Sequence, residues 1–161
     1  IKMIIHIKKG QNIGAFFHEK SNQIKIFTDN HSSSGLGVEV FDGLKFNVDE
    51  NNILCFLEFN LQFSVRIDKI KLPPWNAFLV NDVEMSLSHL ESFRWYYNEF
   101  TGMLGFFFDD LGKAQSWVKL KNHLLWFGYN EKNLLICIIF QGVIYDIDCS
   151  RENAWLVNHN L

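Results

Sequence analysis

Proline is almost missing from this chain: two residues in 161, Pro73 and Pro74, standing side by side. Proline donates no backbone hydrogen bond, so the pair breaks any ladder or helix, and residues 73–80 read as a linker. Alanine is scarce too, with four residues. Helices favour Ala and other straight-chain residues, so a helical bundle is disfavoured. Cysteine is few and odd in number: Cys55, Cys137 and Cys149, each inside or beside an apolar run. No CxxC pair and no Cys/His pair has zinc spacing, so the expectation is buried free thiols in a reducing cytoplasm and no metal site. No hydrophobic run is long. Leu134 to Phe140 is too short to span a bilayer, and Ile1 to Ile7, followed by Lys8-Lys9-Gly10, is too short for a signal peptide. Met3 reads as the natural start, and no membrane partner is expected.

Catalytic signatures are also lacking. There is no GxSxG, no phosphate-binding glycine loop, no HExxH and no EF-hand loop. One constellation invites a weighing: His18-Glu19 with Asp29 and His31, which hairpin pairing could bring together for acid–base work. His and Glu flanking a turn are more often solvated hairpin residues, and the remaining histidines are scattered. The expectation is therefore no catalytic residue, no cofactor and no enzyme. Direct nucleic-acid binding is not expected either. Stacking platforms need a basic groove, whereas 15 Lys and Arg stand against 18 acids and are spread along the chain.

What the chain does have is aromatic residues: 16 Phe, 5 Trp and 4 Tyr, which suit pleated sheets. It also has an internal repeat, sought first because a missed repeat mis-reads the fold. A shift of 80 lays Met3, Ile5 and Ile7 over Val83, Met85 and Leu87, and Phe16-Phe17-His18-Glu19 over Tyr96-Tyr97-Asn98-Glu99. It also lays Phe27 over Phe107 and Asp29 over Asp109. After one inserted residue near His123, Leu44 to Leu54 lies over Leu125 to Leu135. Asp42-Gly43 marks a hairpin, and Asp49-Glu50-Asn51-Asn52 and Asn130-Glu131-Lys132-Asn133 mark polar turns. The expected fold is all-β: two tandem antiparallel repeats of about six strands each, sandwich or barrel-like, with pseudo-twofold symmetry and at most one short helix. Residues 86–93 and 111–117 are the places for that helix. The organisation is 1–72 as first repeat, 73–80 as linker and 81–161 as second repeat.

The halves differ in charge. Residues 1–80 carry nine basic and eight acidic side chains, net +1, while residues 81–161 carry six and ten, net −4. Asp146 and Asp148 alternate with Tyr145 and Ile147, which would turn both acids to solvent on one strand. An acidic half steers a basic partner. The acids Asp82, Glu84, Glu91, Asp109, Asp110, Asp146 and Asp148 give the chain its character, together with the duplicated turn Phe46-Asn47-Val48-Asp49-Glu50 and Phe127-Gly128-Tyr129-Asn130-Glu131. In that character it resembles the immunity proteins of bacterial contact-dependent growth inhibition and related polymorphic toxin systems. The resemblance implies a cytoplasmic inhibitor that binds one cognate toxin domain, a nuclease in the first instance, and occludes its active site. The partner-facing residues expected on this reading are Glu91, Glu99, Asp109, Asp110 and Asp146, with Trp95 and Tyr97 as aromatic anchors.

Two other readings remain open in the sequence. A closed barrel lined by aromatics could hold an apolar small molecule in an enclosed cavity. A self-assembling structural subunit would instead need an exposed apolar patch, for which Trp75, Phe78 and Leu79 are the candidates.

Overall fold

The computed structural model describes residues 4–33, 35–70 and 76–159. Met3, the Pro73-Pro74 pair and Trp75 lie outside the described residues. The chain is mostly β. Twelve strands have five or more residues. In the first half these are β1 (Ile4–Lys8), β2 (Ile13–His18), β3 (Gln23–Thr28), β4 (Leu36–Phe41), β5 (Leu44–Val48) and β6 (Leu54–Asn60). A two-residue strand, β7 (Val65–Arg66), follows. The second half begins with β8 (Phe78–Val80), inside the segment expected to be only linker. It continues with β9 (Asp82–Ser86), β10 (Arg94–Asn98), β11 (Met103–Phe107), β12 (Ser116–Leu120), β13 (Leu125–Tyr129), β14 (Leu135–Gln141) and β15 (Ile144–Tyr145).

Local chemistry sets the turns. Gly43 takes a φ of 91° in the β4–β5 hairpin, a conformation open to glycine at no steric cost. Between β5 and β6 the Asp49 carboxylate accepts from the N–H groups of Asn51 and Ile53, at 2.8 and 3.0 Å. Between β13 and β14 the Asn130 side-chain oxygen accepts from the N–H groups of Lys132 and Leu134, at 2.9 and 3.0 Å. Asn52 and Asn133 close these turns in the left-handed region, which Asn tolerates because its short polar side chain bonds locally.

Three sheets result. β1 pairs antiparallel with β9, so that Ile5 faces Met85. A six-stranded sheet runs β15-β2-β3-β6-β5-β4, and a seven-stranded sheet runs β7-β10-β11-β14-β13-β12-β8. Each large sheet takes one short edge strand from the other half of the chain: β15 lies parallel to β2, and β7 parallel to β10. None of these sheets closes into a barrel, which corrects the barrel form of the expected fold.

One core lies between the large sheets and draws on both halves. Phe59 of β6 stacks on Phe106 of β11 with ring centroids 3.5 Å apart, and Phe17 of β2 stacks on Tyr97 of β10 at 4.4 Å. The outer face of the seven-stranded sheet is a second cluster, Met103, Phe107, Trp126, Ile136, Cys137 and Ile139. Ile67, Ile70 and Ala77 from the connecting segment cover it. The outer face of the six-stranded sheet is covered by the one α-helix among the described residues, α1 (Ser150–Asn158), whose Trp155 packs edge-on against Phe16 and lies over Gly14.

The helix is not where the sequence suggested. Residues 86–93 end a strand and turn, and Leu111–Lys113 makes a single 3₁₀ turn capped by Asp110. Among the described residues no helix is long and apolar enough to cross a membrane.

Candidate functional site

The expected partner-facing residues scatter. Glu91 is exposed beside Phe41 and Phe93. Asp109 is held in its turn by Lys113 at 3.2 Å, and Asp110 caps Gly112 at 3.0 Å. The Asp110 N–H bonded to Asp109, with Lys113 close by, holds that carboxyl below the ordinary carboxylate range. Three expectations of surface exposure are corrected. Trp95 and Tyr97 are 7% and 4% exposed, because alternation in β10 turns both into the core between the sheets, where they meet Phe17. Asp146 is 2% exposed. Strand β15 ends at Tyr145, so the alternation rule stops there, and the Asp146 carboxylate instead accepts from the N–H groups of Arg151 and Glu152 at the start of α1.

Glu99 does reach a site. It rims an open cleft of about 310 Å³ between the edges of the two large sheets. The six-stranded sheet contributes Phe17, Glu19 and Tyr145, and the seven-stranded sheet contributes Arg66, Tyr96 and Tyr97, with Asp68 and Phe100 at the mouth. Three carboxylates (Glu19, Asp68 and Glu99) thus stand against one guanidinium. That guanidinium is already engaged: Arg66 donates to the Tyr97 carbonyl at 2.9 Å and lies 5.1 Å above the Trp95 ring. Tyr145 donates its hydroxyl to Glu19. That bond raises the Tyr145 pKa, as do burial and the charges of Glu19 and Glu99. Phe100 is 92% exposed.

The floor of the cleft holds an anomaly. The Tyr97 hydroxyl is buried and has no hydrogen-bond partner among the described residues. Burial, then the Glu99 and Tyr145 charges, push its pKa up to about 12, so it is a neutral O–H at any physiological pH. A buried hydroxyl without a partner costs about 1–3 kcal/mol, and such groups mark places where a ligand or ordered water completes the bonding.

A second polar cluster lies on the outer face of the same sheet, beneath α1. His18 points outward from β2, between the inward-facing Phe17 and the turn. Its Nδ1 is 3.1 Å from the Asp146 carbonyl, and its Nε2 is 3.1 Å from Glu152 Oε1. Cys149 Sγ lies 3.7 Å from the same Nδ1. His18 and Glu152 are 4% and 6% exposed. The grouping of His18 with Asp29 and His31 is not assembled. Asp29 accepts from the N–H and amide of Asn12, and His31 Nε2 meets the Leu156 carbonyl at 3.2 Å. Sequence reasoning missed Cys149 and Glu152 because both belong to the helix it did not place. Asp148-Cys149-Ser150, followed by Glu152 and the apolar pair Trp155-Leu156, carried the signal.

Comparison with protein-family models and with curated proteins finds no match.

Proposed function

We propose that this chain is a cytoplasmic binding protein of the immunity type, which takes a cationic group of a toxin domain into the cleft between its two large sheets. The observation that carries the reading is the unpartnered Tyr97 hydroxyl at the floor of a cleft rimmed by Glu19, Asp68 and Glu99. An arginine or lysine of the partner would satisfy all of these at once. Its N–H groups donate to the carboxylates and to the Tyr97 oxygen, while its stem lies on the aromatic rings of Tyr96 and Phe100. A nuclease cleft, lined with cations for phosphates, presents such groups, and masking them would block its substrate. The test is growth protection: the chain is produced together with toxin nuclease domains encoded beside its gene. Protection by the native chain and its loss in Glu19→Lys and Glu99→Lys, with unchanged melting temperatures, is the expected result. Undiminished protection by both reversals would place the interface elsewhere.

We infer, as the architecture beneath this function, that the two halves are copies of one unit related by a pseudo-twofold axis. The order β15-β2-β3-β6-β5-β4 has the same form as β7-β10-β11-β14-β13-β12, each sheet borrowing the last short strand of the other half. The shift of 80 also equates Ile5 with Met85, and these two face one another across β1 and β9, as equivalent residues must where an axis passes. A crystal structure in which Ile5 and Met85 are not partners would remove the inference.

The self-assembling reading keeps one favourable observation. Phe78 and Leu79, on edge strand β8, are 77% and 59% exposed. Sedimentation at increasing concentration separates it from a monomeric binder.

A further inference from the structure

The cluster under α1 has no part in the cleft. His18 faces the opposite side of β2 from Phe17, and Cys149 is the one thiol of the three that is partly exposed. Cys55 and Cys137 are fully buried, and burial pushes their pKa values up to about 11 and about 12, which leaves them inert at neutral pH. Cys149 differs in its exposure and its surroundings. It stands at the N-terminus of α1, it is held in the left-handed conformation at φ 64°, and it touches an imidazole whose far nitrogen is fixed by a buried carboxylate. A nucleophile beside a base, with the base oriented by a third group, is the arrangement that activates a thiol.

Contacts at both ring nitrogens join the cluster: Nδ1 lies 3.1 Å from the Asp146 carbonyl and 3.7 Å from Cys149 Sγ, and Nε2 lies 3.1 Å from Glu152 Oε1. A proton leaving the thiol therefore has the His18–Glu152 pair as its receiver.

The same three side chains also have the composition of a transition-metal site, with candidate ligand atoms within 4.8 Å of one another. The geometry argues against that use. Cys149 approaches Nδ1 while Glu152 approaches Nε2, and one ion cannot lie along both lone pairs of a single ring. A ring that bridges two groups through its two nitrogens is a proton relay.

We propose that Cys149, with His18 and Glu152, is a site of covalent modification that captures soft alkylating carbon electrophiles, one per chain. In alkylation the sulfur lone pair forms the new S–C bond, the leaving group departs with its electron pair, and the thiol proton passes to the His18–Glu152 pair. Capture rather than turnover follows from the helix start. The N–H of Ser150 is taken by Asp148, and those of Arg151 and Glu152 by Asp146. No N–H of this first turn is left to stabilise the oxyanion of an acyl transfer, so the site suits alkyl groups, whose thioether product is not hydrolysed.

The test is iodoacetamide labelling of the full chain at pH 6, read by peptide mass. The expected result is labelling at Cys149 alone, at least tenfold faster than at Cys149 in the urea-unfolded chain. His18→Gln and Glu152→Gln should each remove most of that advantage while circular dichroism stays native. A native rate at or below the unfolded rate overturns the proposal without any variant, so a variant that fails to fold leaves it decidable. A zinc arm addresses the rival: stoichiometric zinc that blocks labelling and raises the melting temperature overturns the relay, and labelling unaffected by zinc supports it.

Discussion

Gly14 offers a sharp test of how α1 docks, because the sign of the effect is in question. Adding a methyl to a strand glycine ordinarily stabilises, by about 0.5–1 kcal/mol, through a less flexible unfolded chain. At Gly14, whose φ is not positive, Ala is free to adopt the backbone. Its Cβ, however, would stand 2.5 Å from Trp155 Cε2 and 2.7 Å from Cδ2 and Nε1. Comfortable carbon contacts begin near about 3.5 Å, so the indole must retreat by roughly 1 Å. It has little room to do so. Phe16 and Phe27 flank it, with ring centroids at 6.4 and 6.5 Å, His31 lies at 6.2 Å, and His159 stacks on it at 4.3 Å. Overpacking of this kind costs about 1–3 kcal/mol. Net of the backbone gain, Gly14→Ala should destabilise by about 1–2 kcal/mol, a fall of roughly 2–8 °C in Tm for a chain of this size. Urea unfolding followed by circular dichroism reads it directly. In a Trp155→Ala background the same change should turn neutral or stabilising, giving a coupling of about 1–3 kcal/mol in the double-mutant cycle. A Gly14→Ala chain more stable than the native one would show that Trp155 does not lie over β2.

Two further outcomes are expected. Phe106, 1% exposed and stacked on Phe59 between the sheets, should cost about 3–5 kcal/mol on truncation to Ala in the same urea assay, and a loss under about 1 would remove it from the core. Asp49 works against burial, but bonds from the Ile53 N–H, the Asn30 amide and the Asn51 N–H, with Lys8 nearby, more than offset that and hold its pKa below 3.8. Its contribution is therefore complete above that value and lost as pH falls through the lower folded one. Asp49→Asn should be less stable at pH 7, by about 1–2 kcal/mol for the lost charge-assisted bond to Asn30, and the gap should close near pH 2; a gap that persists there would deny the carboxylate its role.

Much of the fold was legible because it rests on local rules. The shift of 80 laid β1 over β9, the Asp42-Gly43 pair marked its hairpin, and the turns built on Asp49 and Asn130 announced themselves by composition. Aromatic excess against few alanines marked the class. What escaped were features without periodicity. Two-residue strands such as β7 and β15 have no pattern to read, yet they decide which half each sheet borrows from. The nine residues of α1 carry a weak apolar stripe, and their capping acids looked like exposed strand residues. That is how Asp146 came to be placed outside. The burial of Tyr97 was within reach: the shift of 80 places it on Phe17, an apolar residue in an apolar strand, and inward-facing positions keep their facing across equivalent strands.

The borrowed strands also determine what kind of site the cleft is. Tyr145 comes from the second half and sits beside β2 of the first, while Arg66 comes from the first and sits beside β10 of the second. No single half contains the cleft, so its geometry stands or falls with the assembly of both sheets. A partner bound there at a thousandfold excess over Kd would add about 4 kcal/mol to the stability of the whole chain rather than of one loop. The thiol cluster is tied to the same strand. The Asp146 N–H donates to the Phe17 carbonyl at 3.0 Å, and the Asp146 carbonyl meets His18. Tyr145 looks into the cleft, and the next residue anchors the start of α1. A group attached at Cys149 that displaces His18 therefore acts on the peptide that holds β15 in place, one residue from the ring that lines the cleft.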